Sequence, residues 1–289
     1  MTTTIVALVL ISAAMHPLRE YFIKSDATPE GVTLAVVFQF GVFAGIHAWV
    51  LGVDPWISFK VWPFMVVSGF GLLFYYWSVV TTLRTGDLSI YYPITRSSPI
   101  FVVIFGYLIL GETYSLTMLL GIALVLIGAF LLQYKPGTRL LSQPLTLWFA
   151  VLAMYGHGVI TLADAAAVRQ VEPMAFLFCM YLFVIPAMTL MFVVTRPAGR
   201  TVYGHLFVGW VQSPFRFLIA GSTAYASYYL ILTSFQLGAN VAAVSAIRQV
   251  SIPLSVLMGG LVLKETRMNS RLGWSLMLAV GVVVIILAD

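Results

Sequence analysis

Charge is what this sequence has least of. Only 9% of its 289 residues are charged, against about 25% in an ordinary soluble domain. Cysteine is nearly absent: Cys179 stands alone, so an internal disulfide or a cysteine-based metal cluster is excluded. Alternation of polar and apolar residues is missing from the apolar runs, which argues against a membrane β-barrel. The opening segment MTTTIVALVLISAAM lacks a basic n-region and reads as a first membrane helix rather than a cleaved leader. What is abundant is apolar surface, at 61% of residues. No soluble core of this size could hide that much, since a chain of ~300 residues still exposes about a quarter of its surface. A soluble enzyme, a nucleic-acid binder and a disordered scaffold are therefore excluded, and lipid is the expected solvent.

A helix needs about 20 mainly apolar residues to cross a bilayer. Ten such runs are predicted, at 4–23, 32–51, 61–83, 88–110, 115–134, 145–168, 173–195, 214–237, 241–263 and 270–288. Turn formers separate them, among them Asp54-Pro55, Thr85-Gly86-Asp87, Lys135-Pro136-Gly137 and Arg196-Pro197-Ala198-Gly199. The net charge of +5 is no nucleic-acid footprint, because the cations sit in these turns. Lys24, Arg84, Lys135, Arg139, Arg196, Arg200, Arg216, Lys264, Arg267 and Arg271 fall in odd-numbered loops, and only Lys60 and Arg169 in even ones. The positive-inside bias puts the odd loops in the cytoplasm and both termini outside, in an inner (plasma) membrane.

The chain also repeats itself. At an offset of 153, Gly106 meets Gly259, Leu110 meets Leu263, Glu112 meets Glu265, Thr113 meets Thr266 and Gly128 meets Gly281. Pro63-Phe64 resembles Pro214-Phe215, Tyr75-Tyr76 resembles Tyr228-Tyr229, and Pro29 resembles Pro173. Each half holds five predicted crossings, an odd number, so the second half enters the membrane from the opposite face. The expected architecture is all-α and polytopic, with ten transmembrane helices as two inverted five-helix repeats, 1–139 and 140–289. Such repeats are typical of secondary transporters, with the solute site near the midplane.

Ionisable residues inside membrane helices cost at least about 2.5–3.5 kcal/mol at the centre, so they face a cavity or a partner. Arg96 and Arg248 are each predicted about 12–13 Å deep, at 1.5 Å per residue. Either they pair with Asp164, Glu20 or carbonyls freed by Pro99 and Pro253, or they face a solute; two such arginines in repeated halves favour the second. His16 and His157 fall at similar depth, with Glu20 four residues after His16. Thr161 and Asp164 follow His157 on one helical stripe. Tyr92 lies four residues before Arg96. Tyr75, Tyr76, Tyr92, Tyr228 and Tyr229 either pack as interface belts or line a path with the arginines. Glu112 and Glu265 are expected to cap helices five and ten. His47 and His205 show no constellation. Guanidinium forks suit carboxylate, phosphate or phosphonate, and aromatic faces suit a cation or an apolar group. The expected solute is therefore a small zwitterion or organic anion, with His16, Glu20, His157 and Asp164 as proton-coupling or gating groups. No metal ligands with the spacing of a structural site are found, and no cofactor is implied.

The run LGETYSLTMLLGIALVLIG and its copy LKETRMNSRLGWSLMLAVG resemble the drug/metabolite transporter superfamily, in its ten-helix EamA-like branch. A narrower subgroup is similar through His16 and Lys24, Gly86-Asp87-Leu88-Ser89, Tyr92-Pro93-Ile94-Thr95-Arg96, Thr161-Leu162-Ala163-Asp164 with Val168-Arg169, and Ala246-Ile247-Arg248-Gln249-Val250-Ser251. The chain departs from that subgroup at Gln249, where Glu is usual, and at Glu20, where a polar amide is usual. The resemblance implies alternating-access transport of small metabolites such as amino acids, and some subgroup members are associated with phosphonate use. The expectation is thus a transporter without catalytic residues, with solute, lipid and protons as partners, no nucleic acid, and a monomeric state. Two other classes stay open. One is an intramembrane enzyme with His157 and Asp164 as base and orienter, and the other a non-transporting membrane subunit.

Overall fold

The structure is a computed structural model that describes residues 1–23, 28–85, 88–134, 143–254 and 268–288. Every regular element among them is helical. In chain order they are α1 (Thr3–Ile23), α2 (Pro29–Val50), a 3-10 turn (Pro55–Val61), α3 (Trp62–Thr85), α4 (Leu88–Thr95), α5 (Ser98–Leu110), α6 (Leu116–Gln133), α7 (Pro144–Val168), α8 (Pro173–Val194), the short α9 (Val202–Leu206) and α10 (Val208–Gln212), α11 (Pro214–Gln236), α12 (Val241–Ile247), a second 3-10 turn (Arg248–Val250) and α13 (Met268–Ala288).

Local chemistry sets these boundaries. Proline opens α2, α7, α8 and α11, where its missing N–H costs nothing. Thr28 caps α2 through the Gly31 amide, and Asn240 caps α12 through the Ala243 amide. The capping expectation for Glu112 is corrected. Ser115 holds the N-cap position of α6 and accepts from the Met118 N–H at 3.1 Å. Gly111, left-handed at φ 65°, turns the chain so that the Glu112 carboxylate reaches across to the Val241 amide instead. Glu265 lies outside the described residues.

Six segments among the described residues are long and apolar enough on their own to cross a bilayer: Pro29–Val50, Pro55–Thr82, Pro93–Leu110, Leu116–Gln133, Pro144–Val168 and Pro173–Val194. Thr3–His16, Val241–Leu254 and Gly273–Ala288 are shorter apolar helices. Helix α11 is diluted by serine, threonine and tyrosine. Large apolar side chains such as Trp49, Phe70, Leu116, Leu190 and Leu287 cover the exterior, as a multi-pass membrane protein requires.

Four helix pairings dominate the packing: α3 with α7, α6 with α13, α1 with α11, and α2 with α8. Small residues let the backbones approach, as is usual between membrane helices. A Cβ on Gly281 would lie 2.8 Å from the Gly121 carbonyl oxygen and from the Val125 nitrogen. One on Gly156 would lie 3.1 Å from the Tyr75 Cα. Ser12 and Ser227 clasp α1 to α11, each hydroxyl donating to the other's carbonyl at 2.8 and 3.0 Å.

The connection carrying α9 and α10 folds back on the start of α2. His205 and Glu30 approach to 3.7 Å with both side chains buried. Thr28 donates to the His205 carbonyl, and Trp210 Nε1 to the Gly31 carbonyl at 2.9 Å. Gly281→Leu should separate α6 from α13 and destabilise the protein by about 1–3 kcal/mol, the usual scale of overpacking. Thermal unfolding in detergent checks this, and an unchanged midpoint contradicts the packing argument.

Candidate functional site

The fourth apolar run, read as one helix from 88 to 110, is two helices. α4 ends at Thr95 and α5 starts at Ser98, with Pro93 before the break and Pro99 after it. Proline withholds an N–H and crowds the preceding turn, so ladder bonds are lost there. The Ser97 hydroxyl recovers one by donating to the Pro93 carbonyl at 2.8 Å. The ninth run breaks likewise. α12 ends at Ile247, a 3-10 turn covers Arg248–Val250, and apolar helix extends to Leu254 through Pro253. Arg96 and Arg248 occupy the two breaks.

The breaks meet. Gln249 Nε2 donates to the Arg96 carbonyl at 3.0 Å, filling an acceptor that the broken helix leaves open. Gln249 is buried, and its Oε1 has no hydrogen-bond partner among the described residues. Each guanidinium meets a ring near this junction. Arg96 Nη2 donates to His16 Nε2 at 3.3 Å. A guanidinium cannot accept, so His16 must offer a lone pair there and carry its proton on Nδ1. The Arg248 guanidinium carbon stands 5.9 Å from the centre of the Tyr228 ring, a cation–π arrangement. Tyr228 in turn donates to Asp164, whose other oxygen accepts from Ser68. Asp164 is fully enclosed, and these hydroxyls solvate its carboxyl in place of water.

His157 takes a neighbouring position. Its Nδ1 is 2.9 Å from Ser98 Oγ, and its ring lies 5.5 Å from Tyr75, which is 5.1 Å from Tyr76. His157 and Asp164 share a helix but bond to different partners, so the base–orienter pair of the enzyme reading is not formed. Tyr229 belongs to a separate group. It lies 4.7 Å from the His47 ring, while His47 Nδ1 and the Tyr225 hydroxyl are 2.9 Å apart. The side chains of Glu20 and Tyr92 lie outside the described residues. Among the described residues no three His, Cys, Asp or Glu side chains converge as a metal ion would need.

The structure thus joins Arg96 with His16, Arg248 with Tyr228 and Asp164, and His157 with Tyr75. Sequence reasoning gave no site role to Gln249, Ser68, Ser98, His47 or Tyr225. Ser98 stood next to a helix-breaking proline, and Gln249 next to a membrane arginine, which were the available signals. Tyr225 stood four residues before Tyr229 on one helix face, which was its only signal, and nothing in the sequence set Ser68 apart.

Comparison with known proteins follows the same lines. Residues 2–134 match the EamA-like transporter family. A curated Sinorhizobium protein, "Uncharacterized transporter in cobO 3'region", is 30% identical over 129 residues, which cover 43% of this chain and 92% of that protein. A solved crystal structure superposes with a TM-score of 0.76 at 15% identity, over 99% of this chain and 98% of its own; the likeness is one of fold.

Asp164→Ala should destabilise the protein by about 1–3 kcal/mol, because the Ser68 and Tyr228 hydroxyls lose a buried acceptor. Asp164→Asn should lose less, since its amide oxygen still accepts. Comparing the two melting temperatures checks this, and equal losses contradict it.

Proposed function

The chain belongs to the EamA-like transporter family, and from that premise we propose that it carries a small polar organic solute with an anionic group through the membrane by alternating access. The observation that carries this reading is the meeting of two broken helices, each with an arginine at its break. Discontinuous helices near the midplane form solute sites in secondary transporters, and irregular backbone at membrane depth is tolerated only where it is buried in protein or lines a cavity. Arg96 and Arg248 hold the anionic end, which is a carboxylate, phosphate or phosphonate. In this reading Tyr75, Tyr76 and Tyr228 line the path. The buried Oε1 of Gln249 suits an N–H or O–H donor on the solute, so an amino acid or phosphonate-like zwitterion fits best.

The architecture in this reading is two inverted five-helix repeats, 1–139 and 140–289, with ten crossings, both termini outside and a monomer in the inner membrane. The helix pairing supports it. Exchange of the halves turns the α3–α7 pair into the α11–α1 pair, while α2–α8 and α6–α13 map onto themselves. The segments shared with the narrower subgroup contribute His16, Arg96, Asp164 and Arg248 to the junction.

Proton linkage has a concrete form at His16. Its Nε2 accepts from Arg96, and a proton placed there would end that bond and set two cations against each other. Arg96 would then be released toward the solute. His157, Asp164 and Glu20 complete the proposed coupling groups.

The test is flux into proteoliposomes, after a thermal-shift screen of amino acids, organic acids, phosphonates and quaternary amines for a stabilising ligand. Arg96→Ala should fold and lose anionic-solute flux; full flux defeats the site assignment. His16→Gln should transport with a pH dependence flattened relative to the unmodified chain, and an unaltered profile defeats the proton role. Product formation without flux favours the enzyme reading, and neither favours a non-transporting subunit.

A further inference from the structure

At one end of the bundle, three separate stretches of chain are tied through one carboxylate. Glu112 follows α5, and its side chain is 7% exposed. Its Oε1 is 3.0 Å from Arg169 Nη2 at the end of α7. The Val241 N–H at the start of α12 donates to both oxygens, at 2.9 and 3.2 Å. The Tyr114 hydroxyl donates to Oε2 at 3.2 Å. Burial, and then the charge of Glu112, hold the Tyr114 phenol above its ordinary range, so it remains a donor at neutral pH. Arg169 completes the loop by donating to the Ala239 carbonyl at 3.3 Å.

Two features distinguish this knot from a fixed helix cap. Left-handed glycines stand at both arms, Gly111 (φ 65°) immediately before Glu112 and Gly238 (φ 86°) immediately before Ala239; each lets the chain swing with little steric penalty. The cation is also accessible. Arg169 is 31% exposed, so water can replace the carboxylate as its partner when the face opens. The knot joins the outer ends of α5 and α12, which pack together and lead inward to the Arg96 and Arg248 breaks.

We propose that Glu112 is the latch of a gate: bound to Arg169 and Val241 it closes the bundle face that carries residues 111–115, 169–172 and 237–240, and its release opens the path to the junction. The proposal rests on the alternating-access reading, with Glu112 in one repeat and Arg169 and Val241 in the other. The distribution of Lys and Arg makes this the external face.

Accessibility tests it without any solute. In a Cys179→Ser background, Ser98→Cys places a thiol about 18 Å along α5 from its outer end, and a separate Gln170→Cys protein reports which side of the membrane carries the latch. A membrane-impermeant maleimide is applied from each side. Glu112→Ala and Arg169→Ala should each speed labelling at position 98 from the latch side about tenfold, which corresponds to about 1.4 kcal/mol of closed-state preference. Glu112→Gln should fall between, because its amide oxygen still accepts from Val241 but no longer neutralises Arg169. Unchanged labelling in folded Glu112→Ala protein would make Glu112 a static cap and overturn the latch. Equal acceleration from both sides would show general loosening and also overturn it. If Glu112→Ala does not fold, Arg169→Ala decides alone. An unmodified chain that moves no solute would sink the transport reading and leave this measurement intact.

Discussion

Backbone groups in lipid have no water to fall back on, and the structure depends on how that constraint is met at two places. The helical runs that carry Arg96 and Arg248 break at those residues, which frees carbonyl and amide groups within the bundle. An isolated break there would cost several kcal/mol for each group left unpaired. Facing breaks reduce that cost, because Gln249 supplies a donor to the Arg96 carbonyl. Arg96 also donates to His16, and Arg248 lies over the Tyr228 ring. The surrounding helices form the protein wall that makes this irregular backbone tolerable.

Asp164, Arg96 and Arg248 each have protein partners in place of water. Asp164 is held by two hydroxyls, and the Arg248 guanidinium lies against an aromatic face. Buried ion pairs tend to be rigid because separating them strands two charges. The imidazole of His16 and the ring of Tyr228 hold a guanidinium less firmly than a carboxylate does, which suits the proposed transport path. Glu112 and Arg169 do form a direct ion pair, at an end of the bundle where water can take over.

Much of the fold was legible in advance because lipid imposes a simple rule on composition. Long apolar runs bounded by Pro, Gly and charged turns predicted helices close to those found, as at 145–168 against Pro144–Val168. The rule failed where one apolar run held two elements, since hydropathy does not see a break made by Pro93 and Pro99. The candidate site was legible only through its ionisable members. Arginine and histidine stand out against an apolar background, whereas Ser68 does not, and its contact comes from a helix far away in sequence. His47 was visible as a residue but had no constellation until α2 and α11 came together.

Sequence by itself determined the solvent, the secondary structure class and the identity of the groups too polar for lipid. These follow from local composition and period, which each stretch of chain carries independently of the rest. Tertiary structure decided which of those groups are partners. It turned Glu112 away from its own helix toward Val241, set Gln249 against Arg96, and gave His157 and Asp164 different neighbours on one stripe. A side-chain pairing depends on how two helices cross and rotate, and that is set by small residues such as Gly121, Gly156 and Gly281 at contacts between distant segments.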